Sequence, residues 1–201
     1  QSRAEGTGRT EAEKNNAASH YLNWRNFIMK LAVVCANGKA GKLIVKEAVS
    51  RGLVVTAVVR EENQTAAQKV LKKDLFDLTA ADLAGFDVVI DAFGAWTEDT
   101  LPQHSTSLKH LCDILSGTDT RLLVVGGAGS LYVNPEHTAC VADGPDFPDA
   151  FRPLAAAMAQ ALAQLRNRSD VKWTYLSPAG DFQAEGQRTG KYILGGEIGR
   201  A

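Results

Sequence analysis

The chain has 201 residues, 45% of them hydrophobic, and a formal net charge of −1. That size and composition suit one globular domain with a substantial core, and the near-zero charge argues against a general binder of nucleic acid or of a membrane surface. No apolar run is long enough to span a bilayer, no apolar core marks a signal peptide, and three widely spaced cysteines (Cys35, Cys112, Cys140) without a Cys-x-x-Cys pair fit a reduced, cytoplasmic setting and disfavour a zinc site.

Residues 1–28 read as a disordered or extension segment, polar and without period up to His20. Met29 makes a natural start for the domain, which is expected to run over 29–201. From there strands and helices alternate. Strand Lys30–Ala36 leads to helix Ala40–Arg51, which Gly52 closes as a C-cap. Strand Leu53–Arg60 follows, then a short strand near Val70–Lys72 and a short helix at Thr79–Leu83. Strand Asp87–Ala92 precedes a helix over Gln103–Leu115, ended by Gly117. Strand Arg121–Val125 runs into Gly126-Gly127-Ala128-Gly129-Ser130. A proline-bearing loop leads to a helix at about Ala150–Arg168, with Phe151, Leu154, Met158, Leu162 and Leu165 on one face. Strand Val171–Leu176 ends at Ser177-Pro178. The strands are near-continuous apolar runs, as expected when helices bury both faces. This alternation implies right-handed βαβ crossovers and an α/β fold, a doubly wound parallel sheet of Rossmann type with helices on both faces.

The most informative segment is Leu31–Val34 followed by Cys35-Ala36-Asn37-Gly38-Lys39-Ala40-Gly41. An apolar strand stops at a glycine-bearing turn and a helix opens at once. Such a turn presents free N–H groups and a partial positive charge to a phosphate. Gly38 would let the backbone approach a pyrophosphate, and Gly41 would let helix and strand pack closely. In sheets of this kind ligands lie at the carboxyl ends of the strands, here Cys35–Gly38, Arg60, Ala92–Gly94, Gly126–Ser130 and Ser177-Pro178.

These segments, with Val55–Arg60, Asp74–Leu78, Asp91–Ala95, Val124–Leu131, Trp173–Ala179 and Arg188–Gly196, resemble the atypical short-chain dehydrogenase/reductases. The resemblance is to their NAD(P)H-binding, flavin-reductase-like and epimerase-like members, over Met29 to about Gly196. It departs in two places. The family's turn is G-x-x-G-x-x-G, and its first glycine is Cys35 here. Family members also continue past Gly196, so the fold is expected to be C-terminally truncated.

The resemblance implies a cofactor site built by Asn37, Gly38, Lys39, Ala40, Gly41, Arg60, Asp74, Leu75, Ala92, Phe93, Gly94, Gly127, Ser177 and Pro178. Arg60 ends the second strand, where an acidic residue would mark NAD. Its planar fork suits the 2′-phosphate of NADP, with Lys39 as a second charge, so NADP(H) is favoured over NAD(H). The plainer reading of Arg60 is a solvated strand end, that of Asp74 a turn cap. Ser130, just past the fifth strand, is the candidate catalytic residue, placed to bond the nicotinamide amide or a substrate carbonyl; otherwise it caps its turn. His137 is an exposed loop residue or a proton donor. His104 and His110 read as packed or capping residues.

The Tyr-x-x-x-Lys pair of standard short-chain dehydrogenases is absent. Tyr132, Tyr175 and Tyr192 have Glu136, Ala179 and Gly196 four residues on. Hydride transfer to a flavin, quinone or similar flat acceptor needs little acid–base help, so the expected function is an NAD(P)H-dependent reductase of a small-molecule acceptor. The alternative is a non-enzymatic NADPH-binding redox sensor. No metal, nucleic-acid or membrane partner is expected, and the protein is read as a monomer or homodimer.

Overall fold

Runs rich in valine, leucine and isoleucine build the sheet because helices shield them on both sides. The computed structural model describes residues 29–183 and 185–199. The segment 1–28, expected to be disordered or an extension, lies outside the described residues. The strands are β1 (Lys30–Val34), β2 (Val54–Val59), β3 (Lys69–Lys72), β4 (Val88–Asp91), β5 (Arg121–Val125) and β6 (Lys172–Leu176). They pair in parallel throughout, in the order β3-β2-β1-β4-β5-β6. The chain therefore moves outward from β1 to β3 and crosses back to β4, so the topological switch falls between β1 and β4.

Among the described residues, three helices cover the sheet: α1 (Lys39–Ser50), α2 (Gln103–Leu115) and α3 (Arg152–Arg166). Alternate strand residues divide between two cores. Leu31, Val33, Val55, Ala57 and Ile90 pack with Val45 and Ala48 of α1. Ala32, Val34, Val89, Leu122 and Val124 pack on the opposite face with Leu108, Leu111 and Leu115 of α2 and Leu162 and Leu165 of α3. Gly52 (φ 77°) and Gly117 (φ 69°) take the left-handed conformation just past α1 and α2, as their C-terminal reading requires. His104 shares the buried face of α2 with Leu108, Leu111 and Leu115.

Two expectations are corrected. Residues Thr79–Leu83 form turns, not a helix, and the helical turn lies earlier, a 3-10 turn at Leu75–Asp77. The Asp82 carboxylate accepts from both Thr79 N–H and Thr79 hydroxyl and pairs with Lys73, which ties the segment into a closed turn. Phe151 is not on the buried face of the last helix. It ends a separate 3-10 turn, Asp149–Phe151, and is 52% exposed, because α3 begins only at Arg152. No helix among the described residues is long and apolar enough to cross a membrane.

Candidate functional site

Since every strand runs the same way, all six carboxyl ends share one edge of the sheet, and the candidate residues gather there. At the end of β1, Cys35 takes the left-handed conformation (φ 57°) where glycine is the ordinary choice. Its side chain packs against the α2/α3 core, so it fills the turn from within. Burial pushes its thiol up to about 12, with Asp91 adding to the effect. The Cys35 carbonyl accepts from Gly38 N–H at 3.0 Å, which closes the turn. A Cβ on Gly41 would lie 2.7 Å from Cys35 O and 2.8 Å from both Ala36 Cα and Ala36 O, so only glycine lets α1 sit this close to β1. Gly38 precedes α1 with no side-chain cap, which leaves the first amides of the helix, at Lys39, Ala40 and Gly41, without intrahelical acceptors. Lys39 is exposed at the first helical position.

Asn37 is committed elsewhere. Its amide donates to Glu62 O at 2.8 Å and its carbonyl accepts from Gln64 N–H at 2.9 Å, so it clamps the loop after β2. Arg60 follows β2 with a 77% exposed side chain, and its Nε lies 3.7 Å from Asp74 Oδ2. Asp74 also caps the 3-10 turn, accepting Phe76 N–H at 2.9 Å. Leu75 is a core residue, 4% exposed.

Across the switch point, β4 ends in Asp91, which is 4% exposed. It accepts Phe93 N–H at 3.0 Å. Burial pushes its carboxyl up to about 6, against a smaller lowering by that N–H. The following Ala92-Phe93-Gly94-Ala95 segment is held at its far end by His104, whose Nε2 is 3.0 Å from Ala95 O. Phe93 packs edge-on against the His104 ring, with centroids 5.5 Å apart. The exposed Trp96 indole lies 3.4 Å from the position of a Gly94 Cβ.

The β5 and β6 ends complete the edge. A Cβ on Gly126 would fall 2.0 Å from the Tyr175 ring, so this glycine makes room for the tyrosine. Gly127 N–H donates to the Tyr175 hydroxyl at 3.3 Å. Burial raises the Tyr175 phenol, while the Gly127 N–H and the Ser130 hydroxyl oppose it. Ser130 turns its hydroxyl back to Gly127 O at 3.3 Å, which is the turn-capping arrangement, beside Tyr175. Ser177 and Pro178 follow β6, half-buried. His137 lies outside this arrangement of bonds, stacked on Tyr132 with centroids 4.1 Å apart. His110 meets Leu78 O.

Asp91, Tyr175 and Trp96 also stand at this edge, and none of them is among the residues that the sequence assigns to the candidate site. An acid closing an otherwise apolar strand was the available signal for Asp91. Tyr175 enters the sequence reading only as a tyrosine without a lysine four residues on, and nothing in the sequence around Trp96 marks it as a site residue.

The NAD(P)H-binding family model matches residues 35–199. YwnB of Bacillus subtilis strain 168, itself uncharacterized, is 44% identical over 170 residues, covering 83% of this chain and 79% of YwnB. The crystal structure of a proposed NADH-flavin reductase from Streptococcus pneumoniae TIGR4 is 58% identical with a TM-score of 0.83, covering 85% of this chain and 81% of that one. The crystal structure of a proposed epimerase from Bacteroides thetaiotaomicron is 31% identical with a TM-score of 0.72, covering 85% of this chain and 80% of that one. The sheet order, the tight glycine turn and these matches agree: the chain belongs to the NAD(P)H-binding family, on a Rossmann-type fold.

Proposed function

We propose that this protein is an NAD(P)H-dependent oxidoreductase that passes hydride to a flavin, quinone or similar flat acceptor and takes NADPH in preference to NADH. The observation that carries the reading is the turn at the switch point. Gly41 has no room for a Cβ, and the uncapped start of α1 opens beside the end of β4. That combination suits a pyrophosphate. The free amides of Lys39, Ala40 and Gly41, with the Lys39 ammonium, would hold it, and Gly38 would allow close approach. Asn37 acts indirectly, by fixing the loop after β2. Arg60 would meet a 2′-phosphate: it is exposed and, among the described residues, held only by a long ion pair, so it can turn toward the ligand at little cost. Asp74 and the Leu75 backbone would border the adenine. Ala92, Phe93 and Gly94 would underlie the nicotinamide ribose, with Gly127, Ser130, Ser177 and Pro178 along its other side.

A bound reduced dinucleotide supplies hydride, two electrons with one proton, and a flavin or quinone can draw any second proton from water. The protein's task is to bind, orient and exclude water. A flat acceptor is supported by the missing tyrosine–lysine pair and by the exposed Trp96, which offers a stacking surface above Gly94. The related Streptococcus pneumoniae protein, proposed to be an NADH-flavin reductase, points the same way.

The test is turnover. Purified protein with NADPH is given riboflavin, flavin mononucleotide or menadione, and the loss of reduced nicotinamide is followed. Acceptor-dependent oxidation supports the reading. Binding of NADPH without turnover on any flat acceptor would contradict it in favour of a cofactor-binding sensor.

A further inference from the structure

The geometry points to a role for Asp91 that rests on the dinucleotide reading above. We propose that Asp91 is the counter-charge for the oxidised nicotinamide, favouring the cationic oxidised ring over the neutral reduced ring and so favouring hydride release.

Four observations support it. First, Asp91 occupies the middle of one row of the sheet, Val34, Asp91, Val124 and Tyr175, on neighbouring strands in register. Its immediate neighbours in that row are both valines, and no lysine or arginine among the described residues forms an ion pair with it. Second, Asp91 lines a small cavity of about 20 Å³ with His104, Ser107, Val124, Met158 and Tyr175, space for about one water. Third, it lies directly before Ala92–Gly94, the segment assigned to the nicotinamide ribose. Fourth, the bond it makes does not require a charge. Asn would accept Phe93 N–H equally well and avoid the cost of burying an ionisable group. What Asp adds to Asn is the charge alone.

The titratable groups facing it do not replace that charge. They are Cys35 at the end of β1, His104 and Cys112 on α2, and Tyr175 on β6; α3 presents Met158 and Ala161. Burial keeps both thiols and the phenol protonated, and it lowers the basicity of His104, so none is a cation at neutral pH.

The oxidised form of a nicotinamide dinucleotide carries one positive charge more than the reduced form, on the nicotinamide ring. When hydride leaves for the acceptor, the acceptor gains two electrons and one proton while that charge appears. An ionised Asp91 stabilises the oxidised state by Coulomb attraction in a poorly screened site; a protonated Asp91 does not. By linkage, oxidised cofactor must bind more tightly when Asp91 is ionised, while reduced cofactor must be nearly indifferent.

The experiment measures equilibrium dissociation constants of both oxidised and reduced cofactor, at mildly acid and mildly alkaline pH, for the native protein and for Asp91→Asn. The NAD pair is run beside the NADP pair, because a 2′-phosphate titrates in the same range. The expected result is a ratio, Kd of oxidised over Kd of reduced, that falls about tenfold as pH rises through the Asp91 titration. In Asp91→Asn the ratio stays at the native acid-side value at every pH. A ratio independent of pH in the native protein, or the same fall in Asp91→Asn, overturns the role of Asp91 while leaving the dinucleotide site intact. No binding of either form overturns both readings. The native comparison stands alone should Asp91→Asn fail to fold.

Discussion

Replacing Asp91 by Asn should stabilise the protein at neutral pH, although it removes a buried group that is hydrogen-bonded. Burial raises this carboxyl from 3.8 to about 6. A raised carboxyl means that the folded chain holds its proton more tightly than the unfolded chain. The favourable contribution is therefore complete below the ordinary carboxylate range and is lost as pH rises through about 6. Above that, the native state carries a buried charge that the unfolded state solvates freely. Raising the carboxyl to about 6 corresponds to a ceiling of about 3 kcal/mol. Water entering the small cavity lowers the penalty, so about 2 kcal/mol is the working figure. Asn keeps the acceptor for Phe93 N–H and never ionises. Urea unfolding of both proteins should give nearly equal stabilities near pH 3 and an Asp91→Asn advantage of about 2 kcal/mol near pH 7.5, with melting raised by roughly 4–8 °C. An Asp91→Asn protein that is less stable at pH 7.5, or that differs from the native protein equally at both pH values, would show that the buried charge carries no penalty. The buried acid would then be a structural group, not one retained at a cost to stability.

Gly41→Ala and Gly38→Ala should separate sharply. Alanine gains about 1 kcal/mol of helix propensity over glycine, but a Cβ at 41 meets three backbone atoms within 2.8 Å, so the steric cost wins. Gly41→Ala is expected to lose about 2 kcal/mol in urea unfolding, whereas Gly38→Ala, with its tightest contact at 3.2 Å, stays within about 1 kcal/mol of the native protein. Cys35 and Cys112 should resist alkylation at pH 8, because burial pushes their thiols up to about 12 and about 11. Mass spectrometry of protein treated with iodoacetamide should show both unmodified under native conditions and modified in urea; rapid native labelling at Cys35 would contradict its inward packing.

The strand–turn–helix at the start of the domain was legible because three signals coincide there. The apolar run stops, the glycines fall at positions 38 and 41, and helical periodicity begins. Gly52 and Gly117 were legible for the same kind of reason, since each ends a periodic segment with the residue that left-handed backbone favours. The Thr79–Leu83 segment was misread because a five-residue stretch carries too little periodicity to tell a helix from linked turns, and the Asp82 carboxylate decided in favour of turns. Phe151 fits the helical stripe by spacing alone, but the chain becomes α-helical one residue later. The side-chain partners of Asn37, Glu62 and Gln64, lie some 25 residues away in sequence, where no local pattern announces them. Asp91 and Tyr175 escaped because strands buried on both faces do not reveal which residues look toward which helices. Only the register, which sets Asp91 and Tyr175 in one row facing α2 and α3, brings them together.

A dinucleotide site that prefers a 2′-phosphate is open to one decisive measurement, a side-by-side fluorescence titration with NADPH and NADH. Trp96, exposed beside Gly94, is a natural reporter. NADPH should bind more tightly, and Arg60→Ala should weaken NADPH by at least about tenfold while leaving NADH nearly unchanged, as expected for loss of a charge-assisted contact. Equal affinities, indifferent to Arg60→Ala, would contradict the 2′-phosphate preference, and no binding of either cofactor would contradict the site itself.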